Sequence, residues 1–184
     1  MHIKKGIFTS IIILLAGSII LNCWSFYKTS VENRTEKITT GYVILHTADQ
    51  SIRLMLEYAM NHEVNWESKE FRNELFNLSK NIHDDLWLVS GMLSQQGGDG
   101  IASEEKSTPN LHLAVNQMQI IFDEKYYNAF SEFKKNYNQE DEKTIKELIE
   151  RFSEAGWTNE GGGEYEEVYQ TFSDSVANFL KYRD

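Results

Sequence analysis

A chain of 184 residues with 28 acidic and 18 basic side chains carries a net charge of −10 at pH 7. With no basic stripe interleaved by aromatics, that balance excludes nucleic acid as a partner and argues against a domain lying flat on anionic lipid. Its lone cysteine, Cys23, excludes an intramolecular disulfide, and one proline among few glycine clusters leaves little to interrupt helices.

The first feature in chain order is an uncharged run from Gly6 to Tyr27, preceded by Lys4 and Lys5 and ended by Lys28. At about 22 residues, roughly 33 Å as a helix, it matches the hydrocarbon core of a bilayer. Trp24, Phe26 and Tyr27 read as an interfacial aromatic belt, with Lys28 snorkelling beside it. Cleavage or lipidation at Cys23 are the competing readings. Leu21 and Asn22 suit a lipoprotein site poorly, and the small residues Ala16, Gly17 and Ser18 come early for signal peptidase. The expected organisation is therefore a cytoplasmic tail at 1–5, a transmembrane signal anchor at 6–27 and an acidic helical-bundle domain at 28–184. Localisation follows as the cell membrane, single-pass, with the C-terminal domain outside the cytoplasm. The low-proline, Asn/Lys/Ile-rich style reads as bacterial.

Beyond the anchor the apolar residues recur at helical spacing. Val31 to Asn61 carries Ile38, Tyr42, Leu45, Asp49, Ile52, Leu56 and Ala59 in heptad-like steps. His62 to Asn65 reads as a turn, with Asn65 capping a second helix whose first turn holds Glu67. That helix carries Phe71, Leu75, Leu78, Ile82, Leu86, Val89 and Leu93. Gly97 to Pro109 reads as a loop, and Pro109 opens a third helix with Leu111, Val115, Met118, Phe122, Ala129, Phe133 and Tyr137. Asn138 to Asp141 interrupts or bends the chain before a fourth helix with Ile145, Leu148, Ile149 and Phe152. Gly156 and Gly161 to Gly163 separate that from a last helix bearing Tyr165, Val168, Tyr169, Phe172, Val176, Phe179 and Leu180. Helices with single apolar stripes must bury them against one another. The expected fold is all-α: an N-terminal single transmembrane helix followed by an antiparallel bundle of four to five helices. The heptad stripe of 38–59 also suits an intermolecular coiled coil, with Asp49 as its register device.

Candidate chemistry is sparse. Asp49 occupies a seam position and Asp85 flanks the second stripe, and a carboxylate facing a core needs a partner. In a hairpin turning near residue 63, Tyr42 falls near Asp85 as an interhelical polar pair, and His46 lies within a turn of His83. His46, Asp49 and His83, with Asp84 beside them, would then form a metal site between two helices. The bland alternative keeps the histidines at wet helix edges. The Glu-x-x-His signature of di-iron bundles is absent, because Val43, Ala59, Lys80 and Pro109 stand three residues before His46, His62, His83 and His112. His62-Glu63 lacks the second histidine of a zinc protease helix, and Gly97 to Gly100 lacks the lysine of a phosphate loop. Ser103 with Lys106 and Ser131 with Lys134 match a penicillin-recognising motif in letters only. Asn33-Arg34-Thr35 and Asn77-Leu78-Ser79 are glycosylation acceptors by pattern alone. No nucleophile, base and orienting group converge, so the sequence points away from an enzyme and implies no cofactor.

The functional expectation is a membrane-anchored, extracytoplasmic helical-bundle binding or interaction module of the cell envelope, non-catalytic. Its expected partners are the membrane and either an envelope protein or further copies of itself. The alternatives are a ligand-sensing bundle working through a partner transducer chain and, more remotely, a metal-binding bundle.

Overall fold

The apolar stripes do become helices. The computed structural model describes residues 2–61, 65–95, 111–157 and 163–182, apart from the side chains of 2–17, 34, 37, 61, 95 and 165. Among these residues there is no strand. The elements are α1 (His2–Asn61), α2 (Lys69–Gln95), α3 (Leu111–Ile121), a π-helical segment π1 (Phe122–Tyr127), α4 (Asn128–Lys135), α5 (Gln139–Phe152), a second wide segment π2 (Ser153–Trp157) and α6 (Tyr165–Lys181). Ile121, Tyr127 and Asn128 keep right-handed helical dihedrals, so α3, π1 and α4 form one rod. Among the described residues the chain thus builds five helices. It divides into two units, Met1–Thr39 and Thr40–Asp184.

In the first unit every described side chain from Ser18 to Asn33 is exposed. Local contacts decorate it. Trp24 and Tyr27 rings lie 6.5 Å apart, Lys28 pairs with Glu32 at 3.7 Å, and the Thr35 and Thr39 hydroxyls donate back to the Val31 and Thr35 carbonyls. The expected membrane span is overturned here: among the described residues no helix is long and apolar enough to cross a membrane. Of the run at 6–27, the side chains of 6–17 lie outside what is described, as do those of the expected tail at 1–5. The described remainder, Ser18 to Tyr27, amounts to roughly 15 Å of helix, about half a hydrocarbon core. Asn22 and Ser25 interrupt it, and Lys28 and Glu32 follow within little more than a turn. The single-pass anchor, the membrane partnership and the cell-membrane localisation all rested on that span, and they are corrected with it.

The second unit holds one continuous apolar core. From α1 it takes Leu45, Ala48, Ile52, Met55, Leu56 and Ala59, so the heptad stripe is buried inside the bundle and is not free for an intermolecular coiled coil. Phe71, Leu75, Ile82, Leu86, Val89 and Leu93 face it from α2; Ile145, Leu148 and Phe152 from α5; Val168, Phe172, Val176 and Phe179 from α6. Each large side chain fully buried in this way contributes about 1.5–3 kcal/mol. α1 and α2 form the expected antiparallel hairpin, with Tyr58 stacked on Phe71 at 5.2 Å near its turn. α2 then runs against α3 and α4, α3 against α6, and α4 against α5.

Two local details differ from the sequence reading, and a third settles an alternative that it left open. Asn65 does not cap α2. Its Oδ1 accepts from the Glu67 N–H at 3.1 Å in a tight turn, and Ser68 takes the capping position with its Oγ 3.4 Å from the Phe71 N–H. π1 widens the third rod by one residue, which carries Tyr126 and Phe130 inward beside Ala129 and Phe133. At the fourth helix the ambiguity resolves as a break: Asn136 and Asn138 are extended, and Asn138 Oδ1 accepts from the Asp141 N–H at 2.8 Å. Glu140, Asp141 and Glu142 then favour the positive end of α5. The wide segment π2 that continues it kinks at Gly156, whose φ of 104° is a left-handed conformation that side chains resist.

Candidate functional site: polar pairs and an uncharged face

The hairpin register decides where the singled-out residues fall. α1 reaches Asn61 and α2 starts only at Lys69, so the turn is centred later than residue 63. Asp85 therefore meets Ser51, whose hydroxyl donates to Asp85 Oδ2 at 2.5 Å, and not Tyr42. Tyr42 stacks on His46 instead, with ring centroids 5.5 Å apart. Desolvation in this half-buried place pushes the Asp85 carboxyl above its ordinary range, Ser51 works against the shift, and neighbouring Asp84 adds to it.

Asp49 is buried and has a partner on its own helix. Arg53 donates to it through Nε at 2.6 Å and Nη2 at 3.2 Å, and through Nη1 to the Trp157 carbonyl at 3.0 Å. The pair thus fastens α1 to the wide turn after α5. His83 turns to the third rod: its Nδ1 lies 2.7 Å from Asp123 Oδ1 and donates to it, a carboxylate being an acceptor only. The His83 ring also stacks on Tyr127 at 4.7 Å. Asp84 pairs with Lys80 on the exposed side. His46, Asp49 and His83 accordingly have three different sets of neighbours. Among the described residues no group of three or more His, Cys, Asp or Glu side chains is arranged to hold a metal.

A further network went unread in the sequence. Arg151, buried on α5, donates through Nε to the Phe179 carbonyl at 3.0 Å, through Nη2 to the Tyr182 carbonyl at 3.4 Å and through Nη1 to Tyr126 Oη at 3.3 Å. Its guanidinium sits 4.2 Å from the centre of the Phe179 ring. Tyr126 Oη in turn donates to Glu147 Oε1 at 3.1 Å, which also receives Lys125 at 2.7 Å. Burial raises the Tyr126 phenol above its ordinary range, and the Arg151 contact opposes that. These groups tie α5 to the end of α6 and satisfy its last carbonyls. They hold the fold together and offer no reactive geometry. The available signal was Arg151 standing at helical spacing from Leu148 in an otherwise apolar stripe.

The surface carries a different kind of signal. Residues 86–95 of α2 and all of α3 contain no Asp, Glu, Lys or Arg, in a chain where a quarter of the residues are charged. The two segments lie antiparallel side by side. Ser90 donates to Asn116, which contacts His112 Nε2 at 3.1 Å, and His83–Asp123 closes the other end. This register places Trp87 level with Gln119, next to Ile120. Both point outward: Trp87 is 64% exposed, Ile120 55%, Leu113 59% and Leu88 48%. One turn from Trp87 sits Gly91, where an added Cβ would meet nothing within 4 Å. The outer surfaces of the other helices of this unit carry carboxylates, with Glu57 on α1, Glu132 on α4, Glu150 on α5 and Glu166, Glu167 and Asp174 on α6 exposed. The result is an uncharged, apolar strip framed by polar pairs; the outer side of α1 carries a second uncharged run, with Thr40, Val43, Thr47 and Leu54 exposed. Compared with protein-family models, with curated proteins and with solved structures, the chain matches none.

Proposed function

We propose that this protein is a non-catalytic interaction module whose helical bundle presents the α2–α3 face to a protein partner. The observation that supports the reading is Trp87, a large aromatic side chain left mostly in water on a face without formal charge. Depletion of charge with an aromatic at the centre is the compositional mark of an interface core, and tryptophan is the commonest energetic anchor there. The satisfied pairs Ser90–Asn116 and His83–Asp123 suit the polar rim. The partner's matching surface is an uncharged, apolar helical one, because a basic partner would find its complement on the acidic sides of the bundle.

Site-specific photo-crosslinking in cells expressing the full chain tests this. A crosslinking amino acid at Ile120 should give a discrete protein adduct that disappears in Trp87→Glu. The same probe at exposed Lys143, on α5, should give none. No adduct from Ile120, or equal adducts from both positions, would overturn the reading.

A further inference from the structure

We draw no further inference here: the strongest candidate, the uncharged outer surface shared by α1 around Val43, α2 around Trp87 and α3 around Ile120, is an exposed apolar face, and nothing in the structure shows what covers it.

Discussion

Replacing Asp49 by alanine should destabilise the bundle by about 3 kcal/mol. Asp49 accepts two charge-assisted hydrogen bonds from Arg53, at 2.6 and 3.2 Å, and such bonds contribute roughly 1.5–3 kcal/mol each. Removing one member of a buried pair costs about 3–5 kcal/mol, because the other charge stays behind in a poor environment. Arg53 keeps its bond to the Trp157 carbonyl, and its side chain is 14% exposed, so water recovers part of the loss. The low end of that range is therefore expected. Asp49→Leu combined with Arg53→Met should regain most of it, since both charges leave a seam position whose neighbours are apolar. Urea unfolding of the full chain followed by helical circular dichroism gives both numbers from the midpoints and slopes. A loss below about 1 kcal/mol for Asp49→Ala, or a double variant no more stable than the single one, would refute the assignment of this pair as a buried fastening between α1 and π2.

Asp85→Asn should stabilise the protein at neutral pH. Burial raises the folded carboxyl above its ordinary 3.8, so the native state holds the proton to higher pH than the unfolded chain. The contribution of Asp85 to stability then falls as pH rises from 3.8 through the folded value. Asparagine keeps an acceptor for Ser51 without the charge, and melting curves should converge with wild type below that window. A gap independent of pH would contradict this. Tyr126→Phe should cost about 1–2 kcal/mol at pH 7, since Glu147 and Arg151 lose a partner. Because burial raises this phenol, the native state keeps its proton above pH 10 while the unfolded chain loses it, so wild-type stability should decline there and the variant's should not decline with it. Asn138→Ala should cost about 1 kcal/mol by uncapping α5, and an unchanged urea midpoint would show that the cap is dispensable.

Much of the fold was legible in the stripes, because the spacing of Leu45 to Ala59 or Phe71 to Leu93 permits burial only as a helix packed on another. What local pattern does not carry is register. Whether Asp85 meets Tyr42 or Ser51 depends on where the chain turns, and the tight turn at Asn65 with the cap at Ser68 moved the helix start by about a turn. Tyr126 escaped because a period of 3.6 cannot represent the extra residue in π1. Arg151, by contrast, stood in plain view in an apolar stripe, but its acceptors lie near the far end of the chain, at Phe179 and Tyr182. The uncharged face was also present in the letters of 86–95 and 111–121. Its meaning depends on α2 and α3 lying side by side, and on Trp87 pointing away from the core. The expectation of a membrane span drew on residues mostly preceding Ser18, and the described helix beyond them is too short in its apolar part to bear it out.

The widened turn at Phe122–Tyr127 also fixes how the chain can change length. Upstream of it the third rod is phased against α2 and α6; downstream it is phased against α2 and α5. Deleting one residue inside it would restore ordinary helix with the downstream phase kept, whereas straightening the segment at constant length would rotate everything from Asn128 to Lys135 by about 100°. Phe130 and Phe133 would swing off the core and Glu132 toward it. The widened turn therefore works as a phase joint between two halves that one uninterrupted helix of this length could not serve, and straightening it would demand a new pattern along the whole downstream half.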